Sequence, residues 1–130
     1  MNTGTGSDYV TYRIEKSKES LLAAELMVKN HLLTSAVNRC FYACFYMVDA
    51  ILYKHQLAGK SHSGAKTLFN LHFVKAGKVT IEIGEIFNEL FDLRQEGDYG
   101  TKFDIEQKDI QIIISDTKRF IQTIEDLLSE

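Results

Sequence analysis

Arg94-Gln95-Glu96-Gly97-Asp98-Tyr99 places a permanent cation, a carboxylate and a phenol within six positions, beside a glycine that loosens the backbone. Arg94 can neutralise charge that builds on a phosphate, Asp98 can orient a cation, and Tyr99 offers a hydroxyl. The run fits two readings: a helix-end salt bridge, and part of a site that handles RNA or a nucleotide. An Arg94–Asp98 pair four apart is worth only roughly 0.2–0.5 kcal/mol, and base before acid is the weaker order. A carboxylate near a helix C-terminus also opposes the macrodipole. Local helix chemistry therefore explains the run poorly, which favours a tertiary or functional tie for Asp98.

The elements that must position these residues are helices. Apolar spacing predicts a first helix over 8–29, with Ile14, Leu21, Leu22, Leu26 and Val28 as its apolar positions. A second spans 32–56 and is the most apolar. Ser61 is a good N-cap for a shorter third reaching about residue 75. The fourth covers 81–96, with Ile83, Ile86, Phe87, Leu90 and Leu93 inward. Asp104 and Gln107 read as a capping box opening a fifth helix to about residue 128. Ile112-Ile113-Ile114 is β-prone, but the longer period and the cap agree on helix. No proline interrupts any of these segments. The expected fold is all-α, an antiparallel up-and-down bundle of about five helices. Residues 1–7 read as a flexible lead and 8–130 as one domain.

On the second helix, at about 100° per residue, Asn38, Tyr42, Tyr46, Asp49 and Tyr53 fall within about 80° of one another, with Arg39 just outside. Such a stripe suits a half-buried subunit interface, the wall of a polar cleft, or tyrosine tips that reach solvent.

The 130 residues, 45% of them hydrophobic, suffice for one domain with a core. No apolar run is long enough to span a membrane, and the amino terminus lacks the basic and apolar segments of a signal peptide. A cytoplasmic location is the expectation. Cys40 and Cys44, four apart on one helix face, suit neither a disulfide nor a metal site and read as small core residues. The net charge of −3 hides an asymmetry. Residues 50–80 contain five lysines and three histidines but no Asp or Glu, whereas residues 81–106 are strongly acidic. This fits solvated faces, a basic surface for phosphates, or two segments that meet within one chain or between two.

Asn38-Arg39-Cys40-Phe41-Tyr42-Ala43-Cys44-Phe45-Tyr46 resembles the second-helix signature of HEPN-domain proteins. His62 with a short helix containing Phe69 resembles their next segment, and Arg94 through Asp98-Tyr99 resembles the ending of their fourth helix. The similarity runs from about residue 8 to 128, and small stand-alone HEPN proteins fit it best. It implies a helical bundle, usually a homodimer with the fourth-helix motifs meeting across a cleft, and often a toxin–antitoxin or defence role. It implies an RNA or nucleotide ligand held by Arg94, with Asn38 and Arg39 nearby, and no cofactor or metal. Active members are metal-independent ribonucleases that place His four to six residues after the Arg. Others partner minimal nucleotidyltransferases, and in some the motif tyrosine, here Tyr99, receives AMP.

This chain departs from the ribonuclease pattern, because Tyr99, Gly100 and Thr101 stand where His would fall. A phenol, ordinarily titrating near 10, is a poor general base at neutral pH. No spacing points to His31, His55, His62 or His72 as a substitute, and they read as surface or interface residues. The catalytic candidates are Arg94, Asp98 and Tyr99. A purely structural interaction module is the remaining reading. Phosphate-binding loops and zinc motifs are absent from the sequence.

Overall fold

The computed structural model describes residues 4–98 and 105–130, with side chains for 7–95 and 105–130. The helices are α1 (Gly4–Lys29), α2 (Leu33–Lys54), α3 (His62–Phe69), α4 (Ile81–Asp98) and α5 (Gln107–Leu128). A π-helical turn, Asn70–Val74, continues α3. The described residues are an all-α bundle, as the periodicity predicts.

α2 is the central helix and packs against all four others. Its sequence requires this, since Val37, Cys40, Phe41, Ala43, Cys44, Met47, Val48, Ile51 and Leu52 are all buried. A helix apolar over so wide an arc is stable only when surrounded. Stacked phenylalanines join the layers: Phe41 lies 5.9 Å from Phe87, and Phe87 lies 5.9 Å from Phe120. α2 and α1 are closed by left-handed residues, Gln56 and His31, and Gly77 does the same after the π-helical turn. After α2, the Leu57 N–H donates to the Leu52 carbonyl at 2.8 Å, which satisfies an end carbonyl.

Three expectations shift. Of the apolar positions expected on α1, Val28 is buried and Ile14 and Leu21 pack half-buried against the core, but small residues take the deepest places. Ser17, Ser20, Ala24 and Val28 are buried, while Leu22 and Leu26 are more than half exposed. The Ser17 hydroxyl donates to the Ala43 carbonyl at 2.6 Å, and small side chains let the two backbones approach. α1 also begins at Gly4, within the stretch read as a lead. The cap of α5 is Glu106, not Asp104, and the Asp109 carboxylate accepts from the Glu106 N–H at 3.2 Å. The motif is the expected kind moved two residues along, because several acids in this stretch can serve the same geometry.

Two contacts fix α3 against its surroundings. Gly59 lies so close to α3 that an added Cβ would come within 2.4 Å of the Ala65 nitrogen. The Ser61 hydroxyl accepts from the Gly64 N–H at 3.0 Å, confirming the N-cap read from sequence. Below, Asn70 and Asn88 exchange amide hydrogen bonds of 3.0 and 3.2 Å, tying the π-helical turn to α4.

Candidate functional site

The polar stripe of α2 divides into two neighbourhoods. Its lower half is covered by α1. Asp49 accepts from the Tyr9 hydroxyl at 2.6 Å and pairs with Arg13 Nε at 2.8 Å. The Arg13 guanidinium lies 4.9 Å from the Tyr9 ring and 5.4 Å from the Tyr46 ring, and Tyr9 packs 4.3 Å from Tyr53. Burial, then the Asp49 carboxylate, push the Tyr9 phenol above its ordinary value. Tyr46, Asp49 and Tyr53 thus join helices within one chain.

The upper half meets α4. Arg94 Nη2 donates to the Tyr42 hydroxyl at 3.2 Å. Its guanidinium carbon lies 5.1 Å from the Phe41 centroid and 5.5 Å from that of Tyr42. Arg39 lies over the same Tyr42 ring at 4.9 Å and donates to Asn38 Oδ1 at 3.1 Å. Two guanidinium groups therefore share one half-buried tyrosine. Aromatic faces favour a cation while replacing part of its hydration. Arginine's planar fork then suits the oxygens of a phosphate.

α3 adds a third side. The His62 ring packs 4.6 Å from Phe45, 5.7 Å from Phe41 and 5.8 Å from Tyr42. One turn later, Lys66 Nζ lies 4.7 Å from the Phe91 centroid. Asn38, Arg39, Arg94, His62 and Lys66, drawn from three helices, thus border one aromatic floor.

Of the residues singled out in sequence, Arg94, Arg39 and Asn38 come together here. Asp98 is the last residue of α4, and its side chain, like all of Tyr99, lies outside the described residues. His62 was not legible as a site neighbour: 32 positions separate it from Arg94, and only the packing of α3 on α2 unites them. The sequence signals were the Ser61 cap, which sets where α3 begins, and the family resemblance of the segment that His62 opens.

Other chemistries fare less well. Cys40 and Cys44 are fully buried, and burial raises the Cys40 thiol to about 11 and the Cys44 thiol well above its ordinary value. Neither is poised as a thiolate. Among the described residues, no group of three or more His, Cys, Asp or Glu could hold a metal ion. Glu82, in the acidic segment, pairs with Arg119 of α5 at 3.1 Å. No helix among the described residues is long and apolar enough to cross a membrane.

A helical bundle with an arginine of its fourth helix set on the aromatic pair of its second agrees with a family match. The model described as the HEPN domain matches residues 10–127, and the chain belongs to that family. Among its relatives, a UPF0332 protein of Thermotoga maritima is 39% identical over 121 residues, 93% of this chain and 92% of that one. A UPF0332 protein of Gloeobacter violaceus is 35% identical over 118 residues, covering 90% and 94%. A Methanocaldococcus jannaschii protein that bears the name "Putative toxin" is 30% identical over 115 residues, covering 83% and 78%.

Proposed function

We propose that this chain binds RNA or nucleotide phosphate through Arg94, with Asn38 and Arg39 beside it, as the toxin-like member of a toxin–antitoxin or defence system. The observation that carries this is the convergence of Arg94 and Arg39 on the Tyr42 ring. The name of the Methanocaldococcus relative supports the toxin setting. A second copy of the chain and a nucleotidyltransferase antitoxin are the partners this reading expects. Asp98 and Tyr99, four and five positions after Arg94, belong to the same proposed site.

The reaction that best suits these groups is RNA cleavage without a metal. Imidazole is the side chain whose ordinary pKa lies nearest neutrality. His62, packed against the Tyr42 ring that Arg94 also contacts, supports that chemistry where the motif itself lacks histidine. His62 takes the proton of the 2′-hydroxyl. The 2′-oxygen attacks the adjacent phosphorus, and Arg94 neutralises the charge gathering on the phosphorane. The bond from phosphorus to the 5′-oxygen breaks, and that oxygen takes a proton from solvent, to which His62 returns its own. The products are a 2′,3′-cyclic phosphate and a 5′-hydroxyl.

The test is incubation of purified protein with cellular RNA in excess chelator, beside Arg94→Ala. Removing a group that stabilises transition-state charge is expected to slow cleavage about a hundredfold or more. Equal residual cleavage in both proteins would sink the catalytic role, and RNA affinity that survives the substitution would sink the phosphate contact.

A further inference from the structure

Lys66 stands apart from the Arg94 motif in sequence, yet it borders the same floor. Phe41 and Phe91 lie 6.0 Å apart, and each carries a cation. Arg94 is 5.1 Å from the Phe41 centroid, and Lys66 Nζ is 4.7 Å from that of Phe91. His62, one turn before Lys66, shares its face of α3 and packs on Phe41. Three acids of α4 are turned away from this floor. At about 100° per residue, Glu85, Glu89 and Asp92 sit about 100° or more around the helix from both Phe91 and Arg94, and all three are exposed. α3 itself has no acidic residue.

We infer that Lys66 is a second phosphate contact, so that the ligand is a single RNA strand engaging at least two phosphates rather than a lone nucleotide. The inference rests on the reading of Arg94 as the first contact. A mononucleotide needs only one cationic pole. Cations on neighbouring aromatic rings suit a chain of phosphates. α3 is held for this task by the Ser61 cap and the close approach of Gly59.

The test measures binding of a labelled single-stranded RNA octamer and of AMP, at several salt concentrations, to wild type, Lys66→Gln, Lys66→Arg, Arg94→Ala and Lys29→Gln. Lys29 is an exposed lysine at the end of α1 and serves as the charge control. Lys66→Gln is expected to weaken octamer binding about tenfold, the worth of one charge-assisted hydrogen bond. It should also reduce the slope of log K against log salt by about 0.7, while AMP binding holds. Lys66→Arg should keep octamer affinity, and Arg94→Ala should weaken both ligands. If Lys66→Gln matches Lys29→Gln in affinity and slope while Arg94→Ala still loses binding, this inference fails and the Arg94 contact stands. A wild type that binds neither ligand overturns both.

Discussion

Gly59→Ala should damage the candidate site without touching any residue in it. The added Cβ would lie 2.4 Å from the Ala65 nitrogen, 2.6 Å from its Cα and 2.9 Å from its Cβ. Two of those atoms are backbone, so no rotamer change relieves the clash. The loop or the start of α3 must move instead, and α3 carries His62 and Lys66. Overpacking of this kind costs about 1–3 kcal/mol. For a domain of this size, that corresponds to a melting temperature lower by roughly 3–15 °C. Gly64→Ala is the comparison. Its Cβ would press on the Ser61 hydroxyl at 3.2 Å, a side-chain atom that can yield by a few tenths of an ångström, and reach the Gly59 Cα at an ordinary 3.8 Å. Alanine also favours helix over glycine by about 1 kcal/mol, so the net change should be small. Thermal unfolding followed by circular dichroism measures both, and octamer binding shows whether the strain reaches the site. Equal melting temperatures for the two variants would refute the argument that backbone contact at Gly59 sets the position of α3.

Two further outcomes follow from the geometry. Asp49→Asn removes the negative charge that pairs with Arg13 and that, after burial, helps raise the Tyr9 phenol. Chemical denaturation should show a loss of about 1–2 kcal/mol, and alkaline ultraviolet titration should show Tyr9 ionising at lower pH than in wild type. The two cysteines should resist a thiol reagent at pH 8 in the native protein and both react in denaturant. Because folding raises Cys40 from 9.0 to about 11, its share of stability is complete below pH 9 and is lost as pH rises through 11. Fast labelling of either thiol in the native state would contradict their burial.

The amino-acid order alone settled most of the architecture, for a physical reason. Helix formation and amphipathic burial are local, and apolar residues at helical spacing report them directly. α2 announces its central place because so many of its residues are apolar around the helix, and the Ser61 cap was legible from one hydroxyl before a short apolar run. On α1 the spacing identifies Ile14, Leu21 and Val28 but also includes the exposed Leu22 and Leu26, because a tight helix pair selects for small side chains that leucine spacing does not reveal. The Arg94 run stands out in the sequence as a candidate because its helix chemistry is poor, and Asn38 and Arg39 because their run resembles a family signature. The tertiary structure decided the rest. It sent Tyr46, Asp49 and Tyr53 into the α1 seam and left Asn38, Arg39 and Tyr42 with Arg94. It also brought His62 and Lys66 onto the same aromatic floor, a meeting of three helices that no spacing along the chain records.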